Sequence, residues 1–179
     1  MCHIVRALFD SEYCFIGGTQ QSAHCICKWV PDCRPKYTAD HMSCILFDLE
    51  TTSLSTATAE IVEIAAIAFD YDSRTRGAPK IVSEFSSLVK PVFNNPAAVA
   101  IHHISDAMLQ EEASIDVVGN RFLKWLDTVP SSKRCWVGHN IRHYDLPILY
   151  RCLHYDKRLQ GSCFDTLEIA NTVYPYGRS

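Results

Sequence analysis

The sequence predicts an α/β domain on a mixed sheet of five strands, three of them antiparallel and two more joined through helices. Three observations predict it. Residues 44–50, Cys-Ile-Leu-Phe-Asp-Leu-Glu, form a short apolar run that suits a strand buried on both faces. Two more strand-like runs follow closely, punctuated by Gly77 and Pro79 as in an antiparallel hairpin. Beyond residue 96, helical spacing alternates with short apolar runs, the order that parallel strand connections need.

Residues 1–43 read as an irregular N-terminal extension, with five of the nine cysteines, three of the eight histidines and a Gly-Gly pair. Residues 44–179 read as the domain proper. Glu60–Asp70 is a mostly apolar second strand, and Lys80–Val89 alternates loosely as a third. Pro91–Pro96 makes a loop, and Ala97–Met108 reads as short helical pieces. Ser114 can cap a helix in which Val117, Val118, Phe122, Trp125 and Leu126 are spaced for one buried face. Cys135-Trp-Val is a fourth strand. Pro147 suits the first turn of the next helix, which carries Ile148, Leu149 and Leu153. Cys163-Phe-Asp is a last short strand, and Leu167–Val173 a final helix.

Composition narrows the class. With 47% hydrophobic and 21% charged residues, the chain has the balance of a soluble globular domain. No 18-residue apolar stretch suits a membrane span, and the N-terminus lacks the apolar core of a signal peptide. An odd cysteine count in a chain of 179 residues favours reduced thiols and an intracellular location over a secreted disulfide scaffold. The net charge of −3 gives no general support to nucleic-acid binding. Its distribution is uneven: 10 Lys/Arg against 16 Asp/Glu in residues 1–129, and 7 against 4 in residues 130–179. The basic half includes Lys133, Arg134, Arg142, Arg151, Lys157 and Arg158; they suit a solvated helix face better than a phosphate-facing patch.

The chemistry is concentrated in two carboxylate motifs. On a strand, positions i and i+2 share a face, so Asp48 and Glu50 stand side by side. Adjacent carboxylates at the end of a buried strand repel each other unless a cation joins them, and a hard divalent ion takes oxygen ligands. The plainer alternative is that Glu50 opens a solvated loop. Residues 138–149 read Gly-His-Asn-Ile-Arg-His-Tyr-Asp-Leu-Pro-Ile-Leu, which places Asn140 and Asp145 at a strand-to-helix junction where such sheets carry functional loops. Asp145 is equally explicable as a helix-start carboxylate favoured by the helix dipole.

Taken together, Asp48-x-Glu50-Thr-Thr, then Glu60-Ile-Val-Glu-Ile-Ala-Ala-Ile, then Gly-His-Asn140-x-x-x-Tyr144-Asp145 resembles the DEDD or DnaQ-like 3′–5′ exonucleases, whose fold is RNase H-like. Ala100-Ile-His-His-Ile-Ser and Asp165-Thr-Leu-Glu-Ile-Ala resemble lesser features of the same family. The wording around Gly138–Leu149 is also similar to the exonuclease-like domain of promyelocytic-leukaemia-type proteins. The resemblance implies two-metal hydrolysis of phosphodiesters at DNA or RNA 3′ ends with Mg²⁺ or Mn²⁺. It implies that Asp48 bridges both ions, Glu50 binds the water-activating ion and Asp145 holds the second. Thr51, Leu54 and Asn140 would lie near the terminal nucleotide.

The family's third motif, a His or Tyr followed by a fourth carboxylate, has no counterpart before Ser179, and Asp165 falls too early for it. The resemblance therefore implies a truncated fold without its C-terminal helices, a sheet face left bare for a protein partner, and weak or absent turnover in these 179 residues. His139, His143 and His103 are candidate replacement bases, and Asp156 or Glu168 a replacement acid. A catalytically impaired module that binds nucleic acid or a protein is the alternative function. A haloacid-dehalogenase-type phosphatase ranks below both, because its nucleophile motif needs Asp where Glu50 stands. A structural Zn²⁺ held among Cys14, His24, Cys25, Cys27, Cys33, His41 and Cys44 is disfavoured by spacings unlike the common Cys-x-x-Cys knuckle and by the place of Cys44 in the first strand.

Overall fold

A computed structural model of the chain describes residues 42–71, 79–130 and 134–173. The N-terminal extension with its zinc candidates, and the turn around Gly77, lie outside the described residues. Strand β1 (Met42–Thr51) is central. It pairs antiparallel with β2 (Ile61–Tyr71), which pairs antiparallel with β3 (Lys80–Leu88). Two short helices follow, α1 (Pro96–His102) and α2 (Asp106–Leu109), then the long α3 (Ile115–Thr128). Strand β4 (Arg134–Gly138) joins the other side of β1 in parallel. Helix α4 (Asp145–Cys152), a 3₁₀ turn at Lys157–Leu159, strand β5 (Ser162–Asp165) and α5 (Thr166–Val173) complete the described chain. The sheet order is β3-β2-β1-β4-β5, mixed and five-stranded as expected.

The pleat sorts β1 into two sides. Ile45, Phe47 and Leu49 enter the main core with Val118, Phe122 and Leu126 of α3 and Ile148 and Leu149 of α4. Phe47 meets Trp136 edge-on at 5.5 Å and Phe122 at 6.0 Å, an arrangement favoured by the ring quadrupoles. Leu46 lies on the opposite side, buried with Ala65 and Ile67, so that face is not bare at these residues. Asp48 and Glu50 follow Leu46 in the same alternation.

Two details of α3 differ from the sequence expectation. Val117 is exposed, since the buried stripe runs through Val118, Phe122 and Leu126. Ser114 occupies the N-cap position, but its hydroxyl makes no capping bond; its backbone carbonyl receives the Val117 and Val118 amides. At the other end of α3, the guanidinium of buried Arg134 donates to the Leu126 carbonyl at 2.8 Å and the Val129 carbonyl at 3.0 Å. The basic half of the chain is largely engaged in this way. Arg151 bonds the carbonyls of Thr56 and Ala59, Arg142 pairs with Glu168, and Arg158 pairs with Asp127 and Asp156. The described cysteines Cys44, Cys135, Cys152 and Cys163 are free thiols.

Candidate active site

The carboxylates converge where the end of β1 meets the start of α4. Asp48 stands opposite Ala65 on β2, and Glu50 opposite Glu63, immediately before the register shift between Glu50 and Thr51. Asp145 is the first residue of α4 and is 4% exposed. Its Oδ1 accepts the backbone amide of Leu49 at 3.1 Å, which fixes its carboxyl between the two acidic positions of β1. Burial, then the charge of Asp48, push Asp145 up to about 7, against the stabilising Leu49 amide. A buried carboxylate repelled by a second one is an arrangement that a cation relieves.

Other groups hold this junction in place. Tyr144 sends its hydroxyl to the Ser53 carbonyl at 2.7 Å and bonds the Thr51 hydroxyl, tying α4 to the chain beyond β1. Asp165, at the end of β5, accepts amides from Asn140 (2.9 Å), Arg142 (3.0 Å) and Leu167 (3.0 Å). Burial raises the Asp165 pKa, but these amides outweigh it and hold the carboxyl below its ordinary range. Asp165 is thus a structural staple for the loop that delivers Asp145. Gly138 lets β4 approach closely, since a Cβ there would stand 2.8 Å from the Phe47 carbonyl oxygen.

Each predicted residue has a definite place. Asp48 and Asp145 come together, and Glu50 lies further along the same strand face. Thr51 is buried with its hydroxyl occupied, Leu54 is 87% exposed, and Asn140 adopts a left-handed backbone (φ 58°) in the loop before α4. Of the replacement bases, His139 contacts Thr166 and His143 faces Glu168, whereas exposed His103 lines the cavity that Glu50 and Glu63 also line. Glu168 pairs with Arg142, and Asp156 with Arg158, so neither is offered to the site.

Sequence reasoning missed two residues. Glu63 is 6% exposed and takes a hydrogen bond from Ser86; a charge inside the apolar run Ile61–Ala68 was the available signal. His102 is 7% exposed and lines a cavity of about 530 Å³ together with Glu50 and Glu63. No pattern distinguished it from its neighbour His103.

The donor set fits a hard divalent cation in kind, oxygen ligands with one carboxyl left energetically uncomfortable. Among the described residues, no three His, Cys, Asp or Glu side chains already form a ready-made metal cluster.

Comparison with known proteins identifies the frame. The family model described as an exonuclease, RNase_T, matches residues 45–178. A DNA polymerase III subunit epsilon-like protein of Rhodobacter capsulatus is 33% identical over 138 residues, covering 75% of this chain and 18% of its own. A PolC-type DNA polymerase III of Listeria monocytogenes is 28% identical, with 73% of this chain and 8% of its own covered. The chain thus spans less than a fifth of the length of these relatives. A product-bound exonuclease I superposes with a TM-score of 0.60 at 17% identity, covering 77% of this chain and 34% of that one. Escherichia coli exonuclease I in complex with a dT13 oligonucleotide superposes with 0.59, covering 77% and 31%. None of these matches carries the finer likeness to promyelocytic-leukaemia-type domains. The order of strands, the two carboxylate motifs and the family match agree: the chain belongs to the DEDD, DnaQ-like 3′–5′ exonuclease family, with the RNase H-like fold.

Proposed function

We propose that this chain is a divalent-cation-dependent exonuclease domain that hydrolyses the phosphodiester at a 3′ nucleic-acid end. The observation that carries the reading is the Leu49 amide on Asp145, which seats a buried carboxyl beside Asp48. Mg²⁺ or Mn²⁺ bound there would stabilise the charge on the attacking and leaving oxygens. Asp48 would be shared between two such ions, Glu50 would hold the one beside the attacking water, and Asp145 the other. With its pKa held up at about 7, Asp145 is partly protonated near neutral pH, and a cation held there would favour its ionised form. Thr51, through its backbone, exposed Leu54 and the loop at Asn140 flank the carboxylates and would grip the terminal nucleotide. The structurally similar exonuclease I, solved with single-stranded DNA and with a dT13 oligonucleotide, favours a single-stranded end.

The test is shortening of 3′-labelled DNA and RNA oligonucleotides with Mg²⁺ or Mn²⁺, beside Asp48→Ala. Shortening that Asp48→Ala abolishes supports the proposal. Identical traces for both proteins reject hydrolysis. Salt-sensitive retention of the oligonucleotide without shortening would then mark the non-hydrolytic binding module.

A further inference from the structure

The group left over from this site is His102. It ends α1, and the residue after it, His103, takes the left-handed conformation (φ 61°) that turns the chain. The turn brings the Ile104 amide onto His102 Nδ1 at 2.9 Å. An accepting Nδ1 carries no proton, so in the neutral ring the proton is on Nε2. Burial, the strongest influence, lowers the imidazole pKa, with Glu50 and Glu63 acting against it, so the neutral ring is the relevant form.

Nε2–H is shielded from water and has no hydrogen-bond partner. A buried donor left unmade is costly, which favours any rearrangement that supplies an acceptor. The acceptors within the shared cavity that respond to it electrically are Glu50 and Glu63. Glu63 already receives Ser86 Oγ at 3.3 Å and sits deeper in the sheet. Glu50 is half-buried at the strand end and has the larger influence on His102.

We infer that His102 is a positioning residue: rotation of the half-buried Glu50 side chain lets its carboxylate accept the Nε2–H left unmade here, which orients it for the cation shared with Asp48. The inference rests on the proposed hydrolytic site for its consequence, but the hydrogen bond itself is testable without turnover. Outer-shell donors of this kind typically change metal affinity or activity by about 10–100-fold when removed.

Two substitutions separate the nitrogens. His102→Asn keeps an oxygen where Nδ1 accepts the Ile104 amide but removes the Nε2 donor. His102→Gln supplies an amide donor near Nε2. His102→Asn should weaken Mn²⁺ binding, read by titration calorimetry, about 10-fold or more with an unchanged melting temperature. His102→Gln should recover most of that loss. Independently, ¹⁵N NMR of the metal-free wild-type chain should show the Nε2–H tautomer, and its signal should move in Glu50→Gln and hold still in Glu63→Gln. An Nδ1–H tautomer, a signal that follows Glu63 instead, or Mn²⁺ affinity untouched in His102→Asn overturns the inference. If wild type and Asp48→Ala both fail to bind Mn²⁺, the hydrolytic reading fails, and the NMR result still decides the hydrogen bond.

Discussion

The Leu49 amide donates to Asp145 Oδ1 at 3.1 Å, joining the central strand to the first residue of α4 across 96 positions of sequence. The bond has two effects. It stabilises the ionised carboxyl locally, and it holds that carboxyl where burial and Asp48 oppose ionisation more strongly. The site is therefore under electrostatic tension, and the consequences are measurable.

The first concerns pH. Asp145 ionises near 3.8 in the unfolded chain and at about 7 when folded, so the folded state binds the extra proton between these values. Stability of the metal-free protein falls across that window as pH rises, and the penalty is complete above 7. Asp145→Asn keeps an oxygen for the Leu49 amide without the charge. In chelator at pH 8 it should exceed wild type by on the order of 2 kcal/mol in urea unfolding, and match it at pH 4. Equal stability at both values would contradict the assignment.

Asp165 has the opposite sign. Its carboxyl is held below the ordinary range, so its contribution is present above the unfolded value and is lost as pH falls through the folded one. Asp165→Ala strands the amides of Asn140, Arg142 and Leu167 and should cost about 2–4 kcal/mol near pH 7. Hydrogen exchange should show the loop 139–144 opening first.

Tyr144→Phe removes the bonds to Thr51 and Ser53 while leaving the ring in place. A stability loss of about 1 kcal/mol is expected. Because Tyr144 spans the gap between the strand end and α4, oligonucleotide shortening should fall further than the melting temperature suggests. Unaltered shortening would mean that Asp145 is held without it.

Gly138→Ala places a methyl against the Phe47 carbonyl and Ile141 Cδ1, each at 2.8 Å. The strand pair β1–β4 must shift, at a cost of about 1–3 kcal/mol. Chemical denaturation measures it, and Ser at the same position should do no better.

Sequence alone was sufficient for the order of elements along the chain, the mixed five-stranded sheet, the common face of Asp48 and Glu50, and the family, because these depend on local alternation, turn residues and motif spacing. It was also sufficient for a structural Asp165, through its place in Asp-Thr-Leu. Tertiary structure decided the rest. Asp145 becomes a high-pKa group only once β1 lies beside α4, Arg134 becomes a buried cap only once α3 ends against β4, and Val117 and Val118 are distinguished only by which side of α3 meets the sheet. The same holds for His102 and His103, adjacent and chemically identical in sequence. A left-handed turn exposes one and buries the other against the cavity that Glu50 and Glu63 line. Burial and long-range charge are properties of neighbours distant in the chain, and no local pattern reports them.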